Sequence, residues 1–409
     1  MAQIATGIFK QLIAKKQTAL NVKATAAAAQ LYRRVTSTLD LKKATYTSNE
    51  IRPSQMRSDF RHGVRGIAGS INGELSVGTY QSFIESALRA LASAPVTTGA
   101  LITVTSAATV GAAGTFTRSA GSFLTDGFKV GMAIRWVGWT TTGVPNNSHN
   151  FLITALTATV MTGVMLDNVA VGAKAAGDSV TATSLGKQIV IPQTGQTRDY
   201  WTIEHNFSDI VQSEQFKDCV FNGVNVKLPA TGMATVEFPI MGLDLDTSTA
   251  AYFTTPNPAS SGTVLAAVNG ALYVQGLKVG VITSLDFNVD GGFTDPGGVV
   301  GANVNPDLFP GVFDISGNVS VLFTDNIMRD YFINETEASI VAAFTTDNTA
   351  TAGVQTHVFP RVKLGGAQKT DGETGLTMAM PFTAMEKVAG GVGTADFATA
   401  YWTQDSAFI

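Results

Sequence analysis

Residues 69–88 and 313–332 carry one pattern twice, 244 positions apart, and that duplication limits the folds open to the chain. Ile71-Asn72-Gly73-Glu74-Leu75-Ser76-Val77 matches Ile315-Ser316-Gly317-Asn318-Val319-Ser320-Val321 without a gap. Beyond it, Phe83, Ile84, Ala87 and Leu88 fall opposite Ile327, Met328, Tyr331 and Phe332, the spacing of one apolar helix face. Each copy therefore reads as a strand running into an amphipathic helix. Such duplication is typical of units repeated around an axis rather than of a single catalytic pocket.

A second shared signal lies further on. Val226-Lys227-Leu228 is matched with Val362-Lys363-Leu364, and Phe238-Pro239-Ile240 with Met380-Pro381-Phe382, at offsets of 136 and 142. Both places predict a hairpin, with tips at 229–233 and 365–375 and a loop six residues longer in the second copy.

A chain of 409 residues predicts about two or three domains. Charged residues make up only 14%, and with 41 glycines and abundant Ala, Thr, Val and Ser the balance favours short strands and turns, so the chain reads as mainly β. Its one cysteine, Cys219, excludes an intramolecular disulfide framework and reads as a buried apolar residue. No run of 18 apolar residues predicts a membrane helix; the best, 153–166, is broken by threonines and a glycine. Lys10, Lys15 and Lys16 argue against a secretory leader, while the lack of acids in 1–39 leaves a transit peptide as the competing reading.

Charge divides the chain. Through Arg65 there are twelve Lys or Arg against three Asp or Glu; the remainder carries fifteen against twenty-eight. A basic arm joined to an acidic body favours head-to-tail contact between copies, although exposed pairs contribute only about 0–1 kcal/mol each. Nucleic-acid binding is less well supported, because only Phe9, Tyr32, Tyr46 and Phe60 are scattered through the arm.

Along the chain, 1–66 forms the arm and the loop of a first unit, with a helix expected over 24–32 and an extended loop over 52–65. Residues 67–95 and 187–250 complete that unit, 251–261 is a linker, and 262–409 is the second unit, with a matching long loop over 290–310. Residues 96–186 have no counterpart and are expected to form an inserted β module projecting outward. Leu101, Thr103, Ile134 and Trp136 alternate in it, Thr125-Asp126-Gly127 marks a turn, and Trp136 and Trp139 belong to its core, sugar stacking being the rival use. A strand over 200–206 should return to the first unit. A helix capped by Ser208, with Ile210, Val211 and Phe216 on its apolar face, should follow.

No Walker loop, nucleophile elbow, H-E-x-x-H or C-x-x-C occurs. His62, His149, His205 and His357 lie far apart and read as structural or exposed; Asp244 with Asp246, and Glu335 with Glu337, read as acids on solvated strand edges. No enzyme, metal or cofactor is expected. Asn206, Asn318 and Asn334 head Asn-x-Ser/Thr triplets that carry little weight without secretion.

In the strand and helix over 73–88, its copy over 317–332, and the closing run Phe359-Pro360-Arg361-Val362-Lys363-Leu364 to Pro381-Phe382-Thr383-Ala384, the chain resembles major tail tube proteins of long non-contractile-tailed bacteriophages. That resemblance implies two β-sandwich or half-barrel domains, each flanked by a helix, with sheets of neighbouring subunits joined into a continuous inner barrel. It further implies a virion protein forming trimeric, pseudo-sixfold rings stacked into a tube. The tape-measure, tail terminator and distal tail proteins would be its partners, and DNA would pass through the lumen without specific binding. On this reading Arg52, Arg57, Arg61 and Arg65 are the candidates for ring stacking and inter-subunit contact. A β-rich surface adhesin or carbohydrate-binding protein is the alternative.

Overall fold

The computed structural model describes residues 4–408 except 100–101, 141–145, 230, 281, 372 and 374, so the expected strand position Leu101 lies outside the described residues. The first unit comprises β1 (Lys10–Lys16), β2 (Ala27–Tyr32), β3 (Thr36–Ser37), β4 (Asp40–Thr47), β5 (Phe60–Glu74) and α1 (Gln81–Ala87). An insert follows, with β6 (Ile102–Ala108), β7 (Ala113–Arg118), α2 (Phe123–Asp126), β8 (Ala133–Val137), β9 (Phe151–Leu156), β10 (Val160–Met165) and β11 (Lys174–Ser184). After β12 (Lys187–Val190) the first unit resumes with β13 (Trp201–Phe207), β14 (Gln212–Phe221), β15 (Gly223–Pro229), β16 (Thr235–Gly242), β17 (Asp244–Ser248) and β18 (Thr255–Asn257). The second unit holds β19 (Gly270–Val274), β20 (Leu277–Val279), β21 (Ile282–Asp290), β22 (Asp314–Leu322), α3 (Ile327–Ile333), β23 (Ala338–Thr345), β24 (Val354–Leu364), β25 (Gln368–Lys369), β26 (Thr377–Ala384) and β27 (Trp402–Asp405).

The duplicated motif owes its glycine to packing. Gly73 and Gly317 both face the core, and a Cβ on either would enter an aromatic ring: Tyr80 in the first unit, Phe382 in the second. Phe83, on the buried side of α1, stacks on Tyr32 and Phe221 and meets Trp201 and Phe238 edge-on. Such contacts add about 0.5–1.5 kcal/mol per pair beyond area burial. In the second unit Phe287, Phe359, Phe382 and Tyr401 form the corresponding cluster.

Pairing registers correct the hairpin match. Phe221 pairs with Ile240 and Leu364 with Phe382, so the counterpart of Val362-Lys363-Leu364 is Cys219-Val220-Phe221, seven residues before the triplet chosen by sequence. Asn225 pairs with Glu237 and Gln368 with Ala379, and the hairpin tips are nearly equal in length. Alternating strands repeat every two residues, and a three-residue likeness within them does not define register.

Four local expectations also give way. Residues 27–32 are strand β2, because pairing with β1 and packing of Ala24, Ala29 and Leu31 against Ile13 and Phe253 outweigh alanine's helix preference. The helix expected after Ser208 is instead the turn joining β13 to β14, with Val211 at φ 53, and Phe216 sits on β14. The stretch 52–65 is loop only to 59; Phe60, Arg61 and Arg65 belong to β5. Asp244 and Asp246 share a face of β17 and both bind Lys217. Glu335 and Glu337 lie on no strand, following α3 instead.

Strands β6–β11 close into a six-stranded barrel in the order β10-β7-β6-β11-β8-β9. Phe116, Ile134, Trp136, Phe151 and Met161 fill it, and Trp139 is buried beside them, so neither tryptophan offers a ring face to a sugar. The Thr125-Asp126-Gly127 turn closes α2, with Gly127 in the left-handed region at φ 101. The barrel does not stand apart from the body. Its core continues into Tyr273, Val341, Val358 and Trp402 on β19, β23, β24 and β27. Gln404 anchors it by accepting from Ala133 N and donating to Ala133 O and Leu185 O.

Candidate functional site: a polar sheet face with two open edges

From β5 to β26 the strands run as one continuous sheet, β5-β16-β15-β21-β22-β26, with β3 and β4 beyond β5 and β25 beyond β26. Strand alternation gives it two unlike faces. Val226, Phe238, Phe287, Ile315, Val319 and Met380 point into the core. The opposite face is dominated by Ser, Thr and Asn. A depression of about 560 Å³ crosses it, lined in part by Asn225, Lys227, Glu237, Asp286, Asn288 and Asn318. Between β16 and β26 this face carries Glu237, Asp286, Asp290 and Asp314 against Lys227, its single described cation. It is a broad, mildly acidic, hydrophilic wall without a convergent set of reactive groups.

The two units meet inside the chain along β15 and β21, which pair antiparallel from Gly223 opposite Asp290 to Pro229 opposite Ser284. The segment before β22 then folds back over the first unit. Arg89, just past α1, donates to Gly291 O and Gly311 O (2.9 Å for the latter) and lies over the rings of Phe293 and Phe313. Asn222 accepts from Gly291 N and, through its side chain, from Phe293 N. Asp307 accepts from Arg198 and from Tyr200, whose phenol is pushed up to about 12 by burial and then by that carboxylate. A buried guanidinium on two carbonyls is costly to leave unpaired, so these contacts lock the joint.

Inside the chain, β15 and β21 are joined to each other. The outer edges of β3 and β25 pair with no described strand. Exposed edges of this kind template the addition of another strand.

The four sequence-selected arginines are not brought together. Arg52 lies in the loop between β4 and β5, paired to Glu50 at 3.0 Å; Arg57, in the same loop, makes no ion pair with any described residue. Arg61 is exposed on β5 and pairs with Asp59, whose carboxyl it holds below the usual range. Arg65 is committed to the fold, because its side chain binds Asp244 at 2.8 Å and its backbone N–H donates to Asn303 O. Reasoning from sequence missed Arg89, Arg198, Asp307 and Asn222, which carry no motif. The only signal was an arginine directly after an apolar helix face.

The chain thus presents a continuous sheet with one polar face and an open strand edge at either end. Among curated proteins none matches this sequence. The family model for phage tail tube proteins matches residues 10–384, and the chain belongs to that family. No helix among the described residues is long and apolar enough to cross a membrane.

Proposed function

We propose that three copies of this chain close head to tail into a ring of six similar units, and that stacked rings form the tube of a long non-contractile phage tail through which DNA is ejected. The observation that carries this is the β15–β21 joint together with the two edges left open. Aligned by register, β25 stands where β15 stands, and β3 where the outer part of β21 stands. Asn225 faces Asn288 within the chain, and by the same geometry Gln368 faces Thr36 of the next copy. A head-to-tail contact whose rotation closes yields a ring rather than a filament of single chains.

The polar sheet face then lines the lumen. DNA carries about one negative charge per 1.7 Å, and a protein making six to ten phosphate contacts can hold it about 10³–10⁵-fold more tightly at low than at moderate salt. The stretch between β16 and β26, with four acids to one lysine, lacks that grip and lets the duplex slide. The division into two tube units, the outward placement of the barrel, and the tape-measure, terminator and distal tail partners belong to the same proposal. So does its non-enzymatic, virion-bound role. The test is a cysteine pair, Thr36→Cys with Gln368→Cys, the native Cys219 being buried. Oxidised assemblies should give covalent dimers and trimers on a denaturing gel. Rings or tubes that form without any such cross-link would overturn the register and the closure it implies.

A further inference from the structure

The two copies of the helix are buried to very different degrees. Phe83, Ile84, Ala87 and Leu88 of the first copy are all buried. In α3 no residue is buried, and Ile327, Phe332 and Ile333 are 54%, 40% and 62% exposed. A seven-residue helix is not self-supporting in water, where isolated helices shorter than about 12–15 residues are marginal. Its stability has to come from packing, and its own unit supplies only part of it through Met328 and Tyr331.

Within the chain, the segment that closes over the end of α1 is the one preceding the duplicated strand of the following unit, held through Arg89. The equivalent of Arg89, 244 positions on, is Ile333, so an apolar side chain stands where the guanidinium clamp stood. The segment preceding the duplicated strand of the first unit is the hairpin of β4 with β5. Of Asp40–Thr47 all but Leu41 is exposed, and Tyr46 and Phe60, which flank its outer end, are 60% and 51% exposed. A two-stranded ribbon without a covering layer is itself marginal. Charge leans the same way. Lys42, Lys43 and Arg57 of the hairpin and its loop have no ion-pair partner among the described residues, while Asp40, Glu50 and Asp59 accompany them; on and beside α3, Asp325, Asp330 and Glu335, the last 3.9 Å from Lys363, outnumber Arg329.

We propose that the exposed apolar side of α3 is the seat for the β4–β5 hairpin of a second copy of this chain, which repeats between chains, with apolar contacts, the closure that Arg89 makes within one. The inference rests on the head-to-tail ring proposed above and names the surfaces that seal it. The hairpin extends from the β5 side of the sheet, whereas α3 follows β22 and lies beside β24, with β16, β15 and β21 between β5 and β22.

The full chain carrying Tyr46→Cys and Ile333→Cys should, on assembly and oxidation, form cross-links between copies, while unassembled chain stays uncross-linked. The Thr36→Cys, Gln368→Cys pair serves as the parallel control. Cross-linking at 36/368 without any at 46/333 would overturn this docking and leave the ring intact; failure of both would remove ring and docking together. Independently, Ile333→Asp changes an exposed residue and should keep the wild-type melting temperature yet lower the sedimentable, assembled fraction at least tenfold. Assembly at the wild-type level by that variant would equally sink the proposal.

Discussion

At the scale of single residues, the buried polar groups carry the sharpest consequences. His357 is fully buried among Phe287, Phe344 and Tyr401, shares a hydrogen bond with the Tyr401 hydroxyl at 2.8 Å, and has no described partner at Nε2. Burial lowers its pKa to about 3 from the ordinary 6.5. The folded state therefore keeps the ring neutral while the unfolded chain takes up a proton below pH 6.5. Stability is full above that pH and falls as pH drops towards 3, by about 2 kcal/mol at pH 5 from this group alone. His357→Phe should lose less melting temperature than the wild type between pH 7 and pH 5 in calorimetry; parallel acid profiles would contradict the assignment. From sequence the residue read only as structural or exposed, for want of a second ligand nearby. Its titration was not legible, because that depends on Phe287 of β21, Phe344 of β23 and Tyr401 just before β27, all distant in sequence or on other elements.

Elements show where local preference loses to pairing. The strand, helix and hairpin order was readable, since apolar spacing and turn residues are local properties, and the strand and helix starting at Ile71 and Ile315 stand where the pattern places them. The register of β24 and the strand character of β2 were not readable, because both follow from partners distant in sequence. The insert was expected to form a β module projecting outward. The barrel it forms is seated on Tyr273, Val341, Val358 and Trp402, and each large apolar side chain left bare by its loss forgoes about 1.5–3 kcal/mol of burial. Gly131, at φ 90 and against Val358 and Trp402, shows how closely the two surfaces meet. Removal of residues 97–185 with a short joining linker should leave a protein that aggregates on gel filtration, and a monodisperse deletion variant would show that this face tolerates water.

On the scale of the whole molecule, charge separation sets the expected assembly behaviour. Arg52, Arg57 and Arg61 project on or beside an exposed hairpin, whereas Arg65 is tied to Asp244, so only the first three remain available for contacts beyond the chain. Replacing Arg57 and Arg61 by Glu should shorten tubes seen by electron microscopy while chains stay folded. Raising salt from 0.1 to 1 M, which contracts the screening length from about 10 to about 3 Å, should act in the same direction on the wild type. Tubes of unchanged length in both experiments would remove the arginines from the contacts between copies.

The sequence by itself determined the duplication, the mainly β character, the insert and the uneven charge, because each is written in local periodicity or composition. Only the tertiary structure decided which strands join the two units, which arginine clamps that joint, and which helix and edges remain uncovered. Those outcomes depend on register and on packing between segments hundreds of residues apart, and a chain's local pattern contains neither.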